Sequence, residues 1–98
     1  MELIIENIAI EESIKSLGFD STQDYLNQKI QIDLNNKISY YQSRIDFFEK
    51  KYQTNYRNFC DQFDLLQGSI LDKEDDSQDW EFSIEGKEIY AQKLQKFL

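Results

Sequence analysis

The stretch from Thr22 to about Tyr52 carries an apolar side chain at every third or fourth position without interruption. This spacing places the apolar side chains on one face of a single long helix, about 46 Å from end to end. The helix is weakest at Asn35-Asn36, where it has a place to bend. The members of the face are Leu26, Ile30, Leu34, Ile38, Tyr41, Ile45, Phe48 and Tyr52. Because this helix is much longer than the other predicted elements, the pattern predicts that several of them or a second copy pack along it.

Helix-breaking residues are scarce, since the chain of 98 residues has no proline and three glycines. We therefore predict a mainly α protein with a short N-terminal strand, a short helix, the long helix and two C-terminal helices. Residues 1–52 are expected to form an N-terminal dimerisation module and residues 53–98 a helical partner-binding region. The two parts are expected to belong to one compact chain and not to two independent domains.

The N-terminus has two interpretations. Leu3, Ile4 and Ile5 are consecutive and two of them are β-branched, which favours a strand over residues 2–6 followed by a helix over residues 8–17. The alternative is one helix over residues 2–17. Gly18 is expected to end the helix, and Asp20 or Ser21 to begin the next one.

The C-terminal third is predicted to hold two shorter helices. Thr54 is expected to cap the first, which ends near Gly68. Residues 69–79 are rich in acids and are predicted to be a linker. Asp76 or Ser77 is expected to cap the last helix.

The residue content argues against the common catalytic sites. The chain has no histidine and a single cysteine, Cys60, and contains no glycine-rich phosphate loop. A calcium loop that starts at Asp72 has Ser77 where glycine is needed and Ser83 where a bidentate glutamate is needed. With nineteen acids in the chain, close pairs of carboxylates are expected by chance alone. An enzyme that uses such a pair is therefore the weakest hypothesis. We expect no enzymatic activity, no metal and no cofactor.

Charge is distributed unevenly along the chain, whose formal net charge is −8. Residues 36–60 have a net charge of +3, whereas residues 61–98 have ten acids and four bases. The segment over residues 72–82 is the densest negative patch and also contains aromatic side chains, which suits docking on a basic protein. The residues expected to bind that partner are Asp72, Glu74, Asp75, Asp76, Asp79, Trp80 and Phe82. Trp80 has a second interpretation as a core residue.

The segment SRIDFFEKKYQTNYRNF, residues 43–59, combines aromatic and basic side chains. Aromatic residues at helical spacing are more often core than platforms for stacked bases. The basic residues are expected to be solvated or to pair with acids of the C-terminal third. No apolar run exceeds three residues, so we expect a cytoplasmic protein without a membrane span.

The order of strand, short helix and LGFDSTQDYLNQKI resembles ribbon-helix-helix proteins and related bacterial antitoxins. The segments SRIDFFEKKYQTNYRNF and EDDSQDWEFSIEGKEIY are similar to the C-terminal part of small acidic proteins from toxin–antitoxin pairs. The resemblance implies an N-terminal dimer module and a C-terminal toxin-binding region. Glu2 and Glu6 in the expected strand disfavour DNA binding, because carboxylates near phosphates are costly.

Our leading hypothesis is a non-enzymatic antitoxin or inhibitor that docks its acidic C-terminal segment on a basic, nucleic-acid-acting toxin. The alternative is an all-helical, self-assembling interaction protein without a toxin partner. In both cases we expect a homodimer. Its interface is expected to contain Leu3, Ile4, Ile5, Leu26, Ile30, Leu34, Ile38 and Tyr41.

Overall fold

The computed structural model describes the backbone of residues 2–98 and the side chains of residues 7–98. This part of the chain forms a helical rod of 65 × 26 × 18 Å with no strand, so the predicted mainly α class is confirmed. The helices are α1 (Glu2–Ser16), α2 (Thr22–Tyr52), α3 (Tyr56–Asp61) and α4 (Ile70–Gln95), with a short 3₁₀ helix at Phe63–Leu65.

The N-terminal segment is one helix, α1, and not the expected strand followed by a helix. The alternative interpretation, a single helix, is therefore the one found. A lone strand needs a partner for its backbone N–H and C=O groups, and residues 2–98 supply none. A helix satisfies those groups within the segment itself. The side chains of Leu3, Ile4 and Ile5 lie outside the described residues.

The turn between α1 and α2 follows the sequence closely. Gly18 has φ +97° and ends α1, as predicted, with its N–H donating to the Lys15 carbonyl at 3.0 Å. The next N–H, from Phe19, donates to the Ile14 carbonyl at 3.2 Å, which completes a Schellman motif. Ser21 then caps α2, because its hydroxyl accepts from the Asp24 N–H at 3.0 Å.

The long helix α2 has the predicted bounds, and α4 runs back along it in the antiparallel direction. Tyr52 at the end of α2 meets Asp76 near the start of α4, whereas Tyr41 stacks on Tyr90 near the end of α4. The hydrophobic core lies at the closed end of this hairpin. It consists of Ile45, Phe48, Phe59 and Trp80, surrounded by the half-buried Tyr52, Tyr56, Phe63, Leu66 and Ile84. The core thus joins residues from both sides of position 52.

The segment expected to be a linker, residues 69–79, is instead helical from Ile70 onward. Ser69 caps α4 by accepting from the Asp72 N–H at 3.1 Å, so Asp76 and Ser77 lie inside the helix and do not cap it. The first turns of α4 place polar side chains, including Asp76, toward the rest of the protein. The first turns of α4 therefore lack the apolar side chains at every third or fourth position that mark a buried helix. α3 also begins one residue later than predicted, with Asn55 as its cap, and it ends at Asp61 and not near Gly68.

A buried lysine holds the segment before α4 in place. Lys73 is 4% exposed, and its ammonium donates to the carbonyls of Phe63 and Leu66 at 2.7 and 3.0 Å. The same ammonium lies 4.7 Å from the centre of the Phe63 ring. These contacts hold the 3₁₀ helix against α4, where Phe63 and Leu66 pack on the core.

Candidate interaction surfaces

The acidic segment over residues 72–82 spans three turns of α4, so its side chains point to different sides of the helix. Trp80 is on the buried side and is 0% exposed. Asp76 and Asp79 pair with basic residues of α2. Asp72, Glu74, Asp75 and Phe82 are exposed. The structure therefore does not bring the seven expected partner-binding residues to one surface.

Trp80 is a core residue in this structure. Its ring stacks on Phe48 at 5.6 Å and on Tyr52 at 6.0 Å between centroids, and Phe59 and Tyr56 pack at 5.2 and 5.3 Å. A partner cannot reach this ring unless the core opens. Of the two aromatic anchors expected in the acidic segment, only Phe82 is accessible, at 64% exposure.

The indole N–H of Trp80 is buried without a hydrogen-bond partner. Four aromatic rings surround it, and two of them lie at steep angles to the indole, Tyr56 at 64° and Phe59 at 51°. An N–H group among such rings interacts weakly with their π faces. The Trp80 indole therefore serves the packing of the core.

Asp76 forms the central ion pair between α2 and α4. It accepts from the Lys51 ammonium at 2.5 Å and from the Tyr52 hydroxyl. Burial alone would raise the pKa of Asp76, but the donors Lys51 and Tyr52 outweigh burial and hold it below its ordinary value. Burial, together with the hydrogen bond to Asp76, raises the pKa of Tyr52. Both directions indicate that the contact forms between an ionised carboxylate and a neutral phenol.

Two basic residues of α2, Arg44 and Lys51, pair with acids of α4, which is one of the two roles predicted for the bases of the segment 43–59. Arg44 lies 3.7 Å from Asp79 and 5.6 Å from the centre of the Phe48 ring. Together with the pair between Lys51 and Asp76, this contact neutralises part of α4 along one edge of the hairpin. Of the aromatic residues in the segment 43–59, Phe48 and Phe59 are buried, which confirms the core interpretation for them.

We predict that Asp76→Asn lowers the free energy of unfolding by about 1–2 kcal/mol at neutral pH, because the charge-assisted contacts are lost. The pKa of Asp76 is lower in the folded state than its ordinary value of 3.8. Its stabilisation is therefore complete above that value and is lost as the pH falls through the folded value. Urea unfolding at pH 7 and at stepwise lower pH should show the difference between wild type and variant shrinking below about pH 4.

Asp75→Asn is the control for this prediction, because Asp75 precedes Asp76 but is exposed. Its effect should stay within about 0.5 kcal/mol at either pH. Equal effects of the two substitutions at pH 7 would contradict the role given to Asp76.

The side of α4 opposite Trp80 forms a separate surface, which we call the outer face. At its edge the Phe82 ring also meets the Tyr41 ring of α2, at 5.9 Å between centroids. The positions of the outer face recur at intervals of four and three residues, as on one side of a helix. They are Leu71, Asp75, Gln78, Phe82, Glu85 and Ile89. The three apolar members are 68%, 64% and 50% exposed in chain order. Glu74, Glu81 and Glu88 are exposed beside them, so apolar side chains stand among acids along the length of the helix.

The sequence-based interpretation missed Leu71, Glu81, Glu85 and Ile89 as surface candidates. The linker assigned to residues 69–79 interrupted the helix that carries them. The signal was nevertheless present, because Leu71, Phe82 and Ile89 recur at multiples of the helical interval.

The expected dimer interface is divided between two sides of α2. Tyr41 faces α4 of its own chain, where it stacks on Tyr90 at 5.9 Å, so it is not free to form an interface between copies. Leu34 and Ile38 are half-buried. Leu26 and Ile30 remain 45% and 38% exposed.

A second side of α2 borders a groove of about 610 Å³. The residues at this groove are Ile30, Asp33, Leu34, Asn36, Lys37, Tyr40 and Tyr90. Tyr40 is 57% exposed. We call the stripe Leu26, Ile30, Asp33, Lys37 and Tyr40, whose members are spaced by four, three, four and three residues, the α2 flank.

The described residues contain no group of three or more histidine, cysteine, aspartate or glutamate side chains arranged to hold a metal ion. Cys60 is a free thiol and is exposed. Among residues 2–98, none of the helices combines the length and apolar character needed to cross a bilayer. Comparisons with protein-family models, curated proteins and solved structures found no match to this chain.

Proposed function

We propose that this chain is a non-enzymatic protein-binding module whose outer face docks on a basic partner protein. The observation that carries the proposal is the arrangement of α4, a continuous helix that exposes Leu71, Phe82 and Ile89 among carboxylates. Apolar side chains supply affinity when they enter pockets of a partner, whereas surrounding charges select the partner and speed its association.

The partner class follows from charge. The six positions of the outer face include two acids and no base. The nearby bases Arg44 and Lys51 are engaged with Asp79 and Asp76. The outer face therefore keeps a negative field, which attracts a basic surface. Nucleic-acid-acting proteins carry such surfaces. We accordingly propose that the chain is an antitoxin or inhibitor that covers the nucleic-acid site of a toxin.

Self-assembly without a toxin is the second candidate function. It is favoured by the apolar side chains that remain exposed on α2, in particular Leu26, Ile30 and Tyr40. These side chains lie on a different helix from the outer face, so the two candidates can be tested separately.

The experiment compares two variants that change the charge equally. The outer-face variant carries Asp75→Lys, Glu81→Lys and Glu85→Lys, all at exposed positions. It leaves Asp76 and Asp79 untouched, because these two residues pair with Lys51 and Arg44 of α2. The control variant carries Glu11→Lys, Glu12→Lys and Glu49→Lys, which are exposed on α1 and α2.

Each protein is immobilised and used to capture proteins from the native host, and the captured protein is then purified and titrated. We expect a small basic protein that binds or cleaves nucleic acid and is inhibited by the wild type. The outer-face variant should associate at least tenfold more slowly at low salt, while the control variant changes the rate far less. Equal association rates for the two variants, or no inhibition by the wild type, would overturn the proposal.

A further inference from the structure

We infer that the α2 flank is the interface of a two-fold symmetric homodimer in which α2 of one chain crosses antiparallel to α2 of a second copy, with Asp33 of each chain facing Lys37 of the other. The inference does not depend on the basic-partner proposal, because the α2 flank and the outer face share no residue.

The first argument is that the α2 flank is complementary to itself. In an antiparallel pairing centred on position 35, Asp33 meets Lys37 of the second copy and Ile30 meets Tyr40. Both pairs occur twice, as a two-fold axis requires. Each ion pair thus joins opposite charges, and each apolar pair joins exposed apolar side chains.

The second argument concerns the spacing of these residues. The α2 flank repeats every four and three residues, which is the spacing of a helix that packs along another helix. The groove beside it, about 610 Å³ and bordered by Leu34 and Tyr90, is large enough to receive the Tyr40 side chain of a second copy. Tyr40 is 57% exposed in the single chain, where its ring meets the Tyr41 ring edge-on at 5.3 Å between centroids, so most of the ring is accessible to a second copy.

The third argument is electrostatic. A chain of net charge −8 repels its own copies, so a second copy must bind where the local charge is balanced. Asp33 and Lys37 balance each other on the α2 flank. The outer face is acidic and would repel a second copy, so it is left for other partners. Within one chain Asp33 also lies 3.2 Å from Lys29, but both side chains are more than half exposed, so this pair is weak and easily exchanged.

A charge-swap experiment tests the pairing. Sedimentation equilibrium of the wild type at micromolar concentration should give twice the chain mass of 11.8 kDa. Asp33→Lys alone and Lys37→Asp alone each place like charges opposite each other, which should weaken the dimer about tenfold or more. The combined variant Asp33→Lys/Lys37→Asp restores opposite charges and should recover most of the lost affinity.

A second substitution checks the apolar contact. Tyr40→Ala should also weaken the dimer about tenfold or more, because an interface aromatic is removed. Leu71→Ala, which removes an exposed apolar side chain from the outer face, should leave the dimer unchanged. Circular dichroism of each variant confirms that the helices are retained. A monomer mass for the wild type at 100 times that concentration, or failure of the combined charge swap to recover affinity, would overturn the inference.

Discussion

Trp80→Ala is expected to lower the free energy of unfolding by about 3–5 kcal/mol, the largest effect that we predict for this chain. The indole is 0% exposed and contacts two rings from α2 and two rings from α3. Truncation removes the apolar transfer free energy and leaves a cavity that rigid rings cannot close. Urea unfolding followed by far-ultraviolet circular dichroism measures the effect. Fluorescence is unsuitable because Trp80 is the one tryptophan.

Phe82→Ala provides the matched control, since Phe82 is two residues away on the same helix and is 64% exposed. Its effect on unfolding should be below about 1 kcal/mol. If the two substitutions cost the same, Trp80 is not the centre of the core and the packing of α4 on α2 is different from that described here.

The helix α2 was predictable because its apolar side chains recur at the helical interval over its whole length. The turn at Gly18 and the cap at Ser21 were predictable for a local reason, since positive φ favours glycine and a free N–H favours a hydroxyl acceptor. In these segments the short-range preferences and the packing require the same structure.

The start of α4 was not predictable in this way. The side chains that face inward over its first turns are Lys73, Asp76 and Ser77, so burial leaves no apolar pattern. Their burial depends on partners outside α4. Lys73 donates to two carbonyls of the segment before the helix. Asp76 accepts from Lys51 and Tyr52, and Ser77 lies 3.3 Å from the Tyr56 hydroxyl. Such pairings are tertiary, and a run of acids alone does not reveal them.

The candidate interaction surface could be predicted only in part, because it too depends on tertiary contacts. The sequence shows where the acids lie along the chain, but whether a given acid is exposed depends on the direction in which α4 presents it. Asp76 and Asp79 were expected to steer a partner, whereas they contact Lys51 and Arg44 of their own chain. The outer face depends on the full length of α4, because its members extend from Leu71 to Ile89 on one continuous helix.

The packing of α4 on α2 also depends on Gly86, which lies opposite Tyr41. A Cβ atom at Gly86 would lie 2.7–2.9 Å from three atoms of the Tyr41 ring, closer than side chains approach in proteins. The ring has little room to move, because it stacks on Tyr90 and meets Phe82 edge-on, both at 5.9 Å. Gly86 is therefore a packing requirement of the hairpin.

We expect Gly86→Ala to lower the free energy of unfolding by about 1–2 kcal/mol, although alanine favours a helix interior over glycine by about 1 kcal/mol. Overpacking against Tyr41 outweighs that intrinsic gain. The test is a double-mutant cycle with Tyr41→Ala, measured by urea unfolding. Once the ring is removed the clash is gone, so Gly86→Ala should then raise stability by up to about 1 kcal/mol. Stabilisation by Gly86→Ala in both backgrounds would mean that α4 and α2 are not in close contact at this position, whereas the reversal of sign would establish the contact between Gly86 and Tyr41 in solution.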